Sequence, residues 1–375
     1  MSLYEEFSTQ VRWRAKHLSD KVPWRTLAYP GVMLHKQSHA LQRTYALRGP
    51  DLLGETPETQ GALMLAANNA LKRLRGSWVL HSEARRARVT DYPEGLGFHP
   101  VSRLLDADRQ ASLMAPPGLR ETTYFLTLTW KPPSPIAQQW NRVLVSQPSP
   151  LSGEGSDKEA QQEKILESFV TQTDQWMALL RGILATSRSL ITDEMLTYLH
   201  SVVSDSWHSI RCPWLPIDLD VRLCDRDYRG GWAPQLGSWH LRTCSLMGYP
   251  ATSIAGGIRG LERLDLDFRW VTRLIAMDTH VQANLLRHMQ GAWAGHERSF
   301  AARIAESISG QPTRILNTDA TNKAEQVDVA RQDIGADLVA FGDLTGTVTT
   351  WDIDPRAADA KLREIMAVFE AQGFT

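Results

Sequence analysis

The chain has 375 residues, of which 42% are hydrophobic and 22% are charged, and this composition indicates a folded protein rather than a disordered one. Its 41 basic and 42 acidic side chains leave a formal net charge of -1, which disfavours a surface dedicated to nucleic acid. The sequence has no apolar run long enough to span a membrane, no signal-peptide core, and three irregularly spaced cysteines that predict no disulfide framework. We therefore expect a protein of the reducing cytoplasm.

Two residue types are enriched. Arg greatly outnumbers Lys, and the chain contains thirteen Trp. Large aromatic residues usually fill cores, but Trp and Arg are also the residue types that anchor protein–protein interfaces. Both interpretations of the Trp content stay open at this point.

The first 150 residues predict an α+β domain. The expected helices cover residues 3–18, 57 to about 75 and 101–114. Between them, strands are expected as a hairpin at 32–34 and 41–47 and as single strands at 77–89 and 122–130. Thr56 is the expected N-cap of the second helix, Pro57 its first residue, and Gly76 its stop. The expected apolar stripe of that helix comprises Leu63, Ala67, Leu71 and Leu74.

Residues 151–375 predict a second α+β domain. After a proline-rich connection over 132–156, Ser156 and Glu159 form a capping box that begins a helix reaching Leu184. A second helix over 192–207 follows, so we expect a long helical hairpin across residues 156–207. Residues 218–224 are predicted to form a strand.

The remainder alternates strands and helices. The expected elements are a strand at 239–247, a Gly-rich segment at 252–261, a strand at 266–277, a long helix after Asp278, a helix at 318–334, a strand at 345–353 and a final helix that begins at Asp354-Pro355. Together these elements predict mixed or antiparallel sheets covered by helices.

No nucleotide-binding loop is present in the sequence. A phosphate-binding loop needs Gly followed by Lys at the start of a helix, and no Lys in this chain follows a Gly. The Gly-rich run at Gly256, Gly257 and Gly260 leads into acidic residues that repel phosphate, so a turn or short helix is expected there. We therefore predict no cofactor site in this chain, and no saturable ATP binding by calorimetry.

Other candidate sites are weak. A zinc site could combine Cys212, Cys224 and Cys244 with His208 or His240, but no pair of these residues has the close spacing of a structural zinc site. The alternating Asp218, Asp220, Asp225 and Asp227 suit a solvated strand face better than a metal cluster, and residues 342–346 suit a hairpin turn better than a nucleophile elbow. No catalytic or metal-binding residue is predicted.

Several motifs together resemble a known family. They are Ala28-Tyr-Pro-Gly-Val-Met-Leu34, Leu41-Gln-Arg-Thr-Tyr-Ala-Leu-Arg-Gly-Pro-Asp51, Ala66-Ala-Asn-Asn-Ala-Leu-Lys-Arg-Leu74, Tyr124-Phe-Leu-Thr-Leu-Thr-Trp130, Tyr249-Pro-Ala-Thr252 and Gly346-Thr-Val-Thr-Thr-Trp-Asp-Ile-Asp-Pro355. Their order and spacing resemble the N-terminal region of TrbE-type conjugation proteins, which belong to the CagE/TrbE/VirB family of type IV secretion ATPases.

The resemblance implies a function for this chain. Members of that family continue into a RecA-like motor with Walker A and B motifs, so ATP and Mg²⁺ are implied only for that motor, and this chain is expected to be inactive alone. The implied role is assembly and docking at the cytoplasmic face of the inner membrane, on other secretion components, with a homo-oligomer (a hexamer by resemblance). The alternative is a nucleic-acid-binding module of the DNA transfer machinery, and direct nucleic-acid binding is disfavoured by the net charge.

Two groups of residues are candidates for these roles. The interface candidates are Trp13, Trp24, Tyr29, Tyr45, Arg85, Arg86 and Arg88. The last three could contact phosphate or lipid head groups, or could form a charged strand edge that blocks unwanted pairing. The final helix is the expected coupling element to the motor, packed on the sheet through Leu362, Ile365 and Phe369.

Overall fold

The computed structural model describes residues 17–52, 54–89, 92, 99–115, 118–132, 155–213, 218–250, 256–278, 280–282, 284–285, 332 and 339–375. Four predicted segments lie mostly outside these ranges, namely the helix over 3–18, the connection over 132–156, the long helix after Asp278 and the helix over 318–334. Trp13 also lies outside them.

The described strands form one sheet. They are β1 (Trp24–Tyr29), β2 (Val32–His35), β3 (Leu41–Arg48), β4 (Trp78–Arg88), β5 (Arg120–Trp130), β6 (Thr186–Ser189), β7 (Tyr228–Arg229), β8 (Gln235–Leu236), β9 (Trp239–Leu246), β10 (Phe268–Ala276) and β11 (Gly342–Asp352). Their order is β1-β2-β3-β5-β4-β10-β11-β9-β8-β7, and β6 pairs with β3 beside this path. All of these pairings are antiparallel.

The helices pack on both faces of the sheet. They are α1 (Pro57–Leu71), α2 (Pro100–Met114), α3 (Gly155–Leu180), α4 (Thr192–Val203), α5 (Leu219–Leu223) and α6 (Pro355–Glu370), with 3-10 segments at Leu18–Asp20 and Gly257–Arg263. Side chains of α1, α3 and α6 pack on one face, while α4 and α5 pack on the other. Within the ranges described, no helix is long and apolar enough to cross a lipid bilayer.

The N-terminal elements confirm the sequence predictions closely. In the hairpin, Val32 pairs with Arg43 and Leu34 with Leu41. Thr56 caps α1 by accepting a hydrogen bond from the Thr59 amide, and Pro57 is the first helical residue. Of the predicted apolar stripe, Leu74 is buried, Leu63 and Ala67 are half-buried and Leu71 is exposed, whereas Ala70, which was not predicted, is buried.

The predicted helical hairpin over 156–207 takes a different form. The short strand β6 separates α3 from α4 and pairs with β3 from Tyr45 to Arg48. Phe169 of α3 packs with Val32 and Leu34 on one face of β2, whereas α4 packs with Met33 on the other face. The chain therefore crosses the sheet at β6, and the two helices lie on opposite faces.

Two shorter predictions are wrong. Residues 218–224 form the helix α5 rather than a strand, because Leu219 and Leu223, four residues apart, are both buried against α4 and β1. Residues 342–346 are not a hairpin turn. They belong to β11, where Gly346 lies under the Trp270 ring and leaves no room for a larger side chain.

Strands from both halves of the chain share the sheet. β4 pairs with β10 over eight residues, from Phe268 opposite Arg86 to Ile275 opposite Val79. The order strand, short helix, strand across β9, Gly257–Arg263 and β10 agrees with the sequence prediction. The predicted division into two domains at residue 150 stays a prediction. The pairing of β4 with β10 joins residues that precede this position to residues that follow it.

Candidate functional site

The described interface candidates differ sharply in accessibility. Trp24 and Tyr45 are buried in the core, Arg85 and Arg86 are half-buried, and Tyr29 and Arg88 are exposed. Buried side chains can meet a partner only if the fold opens, so burial leaves Tyr29 and Arg88 as the accessible candidates. Whether any of these residues contacts a partner stays a prediction.

Tyr29 lies at the tight turn between β1 and β2. Gly31 in this turn has φ +74, and a Cβ at that position would collide with the Leu190 carbonyl oxygen. The turn therefore rests directly on the junction between β6 and α4. Tyr29 and Pro30 are exposed, and so is Ile191 at the start of α4. We call these three residues the turn surface.

Tyr45 is buried and takes part in a half-exposed polar contact between β3 and α3. Its hydroxyl donates to Asp174 Oδ1 over 3.4 Å, and the Arg43 guanidinium lies 5.1 Å from the centre of its ring. Arg43 Nη1 also donates to Asp174 Oδ1 over 2.8 Å. Burial is the main cause that raises the pKa of Tyr45 to about 12, so the phenol stays neutral. Tyr45 thus fixes α3 on the sheet.

Arg85 lies in a buried charged network beneath α4. Its Nη1 donates to Ser201 Oγ over 2.9 Å, and its guanidinium lies 4.8 Å from the centre of the Trp207 ring. On the same face, Glu83 pairs with Arg269 Nε at 2.9 Å and accepts a hydrogen bond from the Tyr198 hydroxyl over 2.9 Å. Burial and then the neighbouring Arg269 charge lower the pKa of Arg85. This network attaches α4 to β4 and β10.

The three Arg of β4 form neither a strand edge nor a basic patch. β4 lies between β5 and β10, so the expected charged edge is wrong. Arg86 points to the opposite face from Arg85 and donates to the Leu264 carbonyl and the Thr122 hydroxyl. Arg88 donates to the Met114 carbonyl at the end of α2. This arrangement gives no support to the nucleic-acid alternative.

Three Trp side chains connect α4 with the far end of the sheet. Trp207 follows α4 and packs edge-on against Trp239 of β9 and Trp351 of β11, at 5.6 and 5.7 Å between ring centres. Trp239 and Trp351 stack on each other at 5.2 Å. Much of the described Trp content is therefore internal packing, although Trp232 on the β7–β8 turn is fully exposed.

Helix α6 packs on β9, β10 and β11. Ile365 and Phe369 are buried with Leu246, Phe268 and Val348, whereas Leu362 is half-buried. Asp354 caps the helix by accepting from the Arg356 amide, and Pro355 is the first helical residue.

Polar contacts also hold α6 at both ends. Near its start, Lys361 pairs with Asp352 at 2.8 Å, and Arg242 of β9 pairs with Asp359. Beyond its end, Thr375 and Gly248 exchange two backbone hydrogen bonds of 3.1 and 2.9 Å. The helix is thus a fixed part of the sheet layer, and its coupling role stays a prediction.

The described residues contain no group of three or more His, Cys, Asp and Glu side chains that could hold a metal ion. The four Asp considered from the sequence lie in other contacts, such as Asp220 with Lys36 at 2.6 Å and Asp225 with His200 at 3.2 Å. The cysteines are free thiols. Burial, followed by the charge of Asp220, raises the pKa of Cys224 to about 12, which makes it a poor nucleophile.

A cavity of about 440 Å³ lies between the Leu18–Asp20 segment and the loop after α5. Its charged lining residues include Asp225, Arg226, Asp227 and Arg229. Opposite charges alternate along this wall and pair with one another or with neighbouring groups, as Arg226 does with Asp205 at 2.9 Å. The wall therefore favours neither an anionic nor a cationic ligand.

The fold is a mixed α+β fold, in which one large antiparallel sheet carries helices on both faces. Residues 31–137 match the family described as type IV secretion system ATPase VirB4/TrbE, N-terminal domain. In Sinorhizobium fredii (strain NBRC 101917 / NGR234), a probable conjugal transfer protein TrbE is divided into two chains. The first of them is 32% identical over 117 residues, which cover 78% of that protein and 30% of this chain. The chain belongs to the VirB4/TrbE family of type IV secretion system ATPases.

Longer relatives extend the similarity over almost the whole chain. The conjugal transfer protein TrbE of Rhizobium radiobacter is 26% identical over 372 residues, which cover 95% of this chain and 44% of that protein. The second TrbE chain of Sinorhizobium fredii is 26% identical over 182 residues, or 48% of this chain and 27% of that protein. The chain thus spans less than half the length of these two relatives. The resemblance of the sequence motifs to the TrbE type is confirmed.

Proposed function

We propose that this chain is the assembly and docking part of a conjugative type IV secretion ATPase. In this role it holds the motor against the inner-membrane channel proteins during DNA transfer and pilus assembly. Family membership supports the setting, which is the cytoplasmic face of the inner membrane, with peripheral attachment and other secretion components as partners. The hexameric state and the use of ATP and Mg²⁺ by the motor belong to the same proposal.

One structural observation supports the coupling role within the proposal. The sheet continues without a break from the β1–β2 turn to β11, and α6 is packed on β9, β10 and β11. A displacement of α6 by a motor would therefore act on the same sheet that presents Tyr29 to a partner. Close-packed elements of this kind move as bodies rather than deform locally.

The docking role within the proposal is tested at Tyr29. Deleting residues 1–48 is not a suitable test of docking, because the deletion removes β2 and β3, which supply Val32, Leu34 and Leu41 to the core. Tyr29→Ala instead removes a side chain that is 44% exposed, and Tyr249→Ala is a matched control with the same exposed fraction. We expect Tyr29→Ala to lower co-fractionation with the membrane components of the secretion system and to lower conjugation frequency.

The comparison with Tyr249→Ala decides the outcome. Both variants should melt close to the temperature of the unmodified chain, because both side chains lie at the surface and the ring of Tyr249 makes only an edge-on contact with Phe374 at 5.9 Å. If the Tyr29 and Tyr249 variants fractionate alike, the turn surface is not the docking site.

A further inference from the structure

The hairpin of β7 and β8 presents one large aromatic side chain to solvent. Arg229 pairs with Gln235 at the end of this hairpin, so residues 230–234 form the loop, with Trp232 in its middle. The Trp232 side chain is fully exposed. Within the part of the chain that the structure describes, the indole therefore contributes nothing to the core.

The residues around Trp232 in the loop are small. Gly230 and Gly231 precede it, and Ala233 and Pro234 follow it. The φ of +104 at Gly231 lies in the left-handed region that favours glycine, and no atom lies within 4 Å of the place where its Cβ would be. The tip of the hairpin is thus a narrow projection, and the indole is its only large side chain.

The base of the hairpin is held by polar contacts. The Gly237 amide donates to the Asp227 carbonyl over 2.8 Å. Asp205, which follows α4, accepts a hydrogen bond from the Ser238 amide over 2.7 Å and pairs with Arg226 at 2.9 Å. The hairpin is therefore attached to the end of α4, and its tip has a defined position on the molecule.

The shape of the tip favours a lipid surface over a protein partner. Anchor residues of protein interfaces lie inside a wider patch that excludes water, and a specific interface covers about 800 Å² on each side. The small residues of this loop supply no such patch around Trp232. The interfacial layer of a bilayer requires none, because it is fluid and takes up an indole with its ring toward the acyl chains and its N–H among the headgroups.

The charges beside the tip indicate which lipid it would accept. Residues 224–236 carry two acidic and two basic side chains, which are Asp225, Asp227, Arg226 and Arg229. A cluster of basic residues would add attraction to anionic lipid, and this segment has no net positive charge to provide it. Lipid contact at the tip should therefore depend on burial of the indole and not on the headgroup charge.

We propose that Trp232 is an interfacial membrane anchor, whose indole enters the headgroup region of a phospholipid bilayer whether or not the lipid is anionic. This role rests on the proposed function for its membrane setting, but it concerns lipid, whereas the turn surface at Tyr29 is proposed to contact protein. One indole buries a small apolar area, so the attachment is weak and reversible and adds to the protein contacts.

Partition of the full chain onto vesicles of phosphatidylcholine tests the proposal. We expect Trp232→Ala to lower the partition coefficient at least about ten-fold, because the buried apolar area is lost. Trp232→Tyr, which keeps an amphipathic ring, should bind more tightly than Trp232→Ala. Met247→Ala is the matched control, since Met247 is 87% exposed and follows β9 at the end away from the hairpin. This control should bind like the unmodified chain.

The lipid composition and the salt concentration test the charge argument. Vesicles with about one-third phosphatidylglycerol should change the partition coefficient less than about three-fold, and added salt should change it little. Acyl chains that carry bromine should quench the fluorescence of the unmodified chain more than that of Trp232→Ala. Equal binding of Trp232→Ala and Met247→Ala, or binding to anionic vesicles alone, would overturn the proposal.

Co-fractionation in cells separates this proposal from the docking proposal. If Trp232→Ala lowers co-fractionation with the membrane but not binding to vesicles, the tip contacts a protein and the lipid anchor is wrong. If the unmodified chain does not bind vesicles while Tyr29→Ala still lowers co-fractionation, the lipid anchor is wrong and the docking proposal stands. Because Trp232 is exposed, melting temperatures should be unchanged, which establishes that lost binding is not lost fold.

Discussion

At the scale of single residues, Gly31 shows how one position fixes a turn. Its φ of +74 favours glycine, and a Cβ there would collide with the Leu190 carbonyl. We expect Gly31→Ala to lower the free energy of unfolding by roughly 1–3 kcal/mol, measured by chemical denaturation. Gly61→Ala is the control and should raise the free energy of unfolding, because Gly61 lies within α1 and its surroundings are open. That change should stabilise the chain by about 0.4–1 kcal/mol.

The buried His35 gives a second prediction at this scale. Its Nε2 lies 2.9 Å from Gln42 Oε1, and burial lowers its pKa from 6.5 to about 4, an effect that the Gln42 contact only partly opposes. The unfolded chain therefore takes up a proton between these two values that the folded chain does not. Stability from this group is constant above pH 6.5, falls as the pH drops from 6.5 to 4, and changes no further below 4.

Urea denaturation at about pH 7.5 and about pH 5 measures this effect, which we expect to reach about 2 kcal/mol for His35 alone. His35→Gln keeps a polar partner for Gln42 and should remove that part of the pH dependence. The half-buried His81 also has a pKa lowered to about 4. It therefore adds a further loss of stability at low pH, both in the unmodified chain and in His35→Gln. An unchanged pH dependence in His35→Gln would refute the assignment.

At the scale of helices and strands, the sequence correctly predicted the ones that carry strong local signals. Thr56 with Pro57 and Asp354 with Pro355 mark the starts of α1 and α6, because a side-chain oxygen and a proline suit those positions. The long strands β4, β5, β9 and β10 were predicted within two residues at each end from their β-branched and aromatic content.

Elements without such signals were missed or misassigned. β6 consists of Thr-Ser-Arg-Ser and exists only because it pairs with β3, so no local pattern indicates it. The alternating Asp of residues 218–224 favoured a strand, while the pair Leu219 and Leu223 at helical spacing decided the outcome. Burial of Trp24 and Tyr45 depends on α3 and α4, more than a hundred residues away, and the sequence did not distinguish a core position from an interface.

Helix α6 carries the prediction that belongs to this scale. Phe369 is buried and packs on Trp270 at 5.0 Å between ring centres. Phe369→Ala should therefore cost roughly 3–5 kcal/mol in denaturant unfolding, from lost burial and the cavity left behind. The half-buried Leu362→Ala is the matched control on the same helix and should cost about 1 kcal/mol or less. Equal small losses for both variants would mean that α6 is loosely attached, and the coupling proposal would fail.

At the scale of the whole molecule, the junction of β4 and β10 is the feature that the sequence did not predict. Glu83 and Arg269 lie 186 positions apart and form an ion pair of 2.9 Å, with Tyr198 of α4 as a third member. Removing one partner of a buried pair costs roughly 3–5 kcal/mol, because the other charge stays buried. For the candidate interface, the sequence predicted only which residue types could take part. Which of these residues are accessible depends on this long-range arrangement of the sheet.

The junction also predicts how the molecule unfolds. If the sheet is one cooperative unit, Phe369→Ala should reduce hydrogen-exchange protection of the slowest amides of β3 as much as those of β11, although β3 does not contact α6. The free energy that protects these amides from exchange should fall by the same roughly 3–5 kcal/mol in both strands. Leu105→Ala on the exposed face of α2 should change neither. Loss of protection in β11 with full protection in β3 would show two separately unfolding units, which is the behaviour expected of a domain boundary at residue 150.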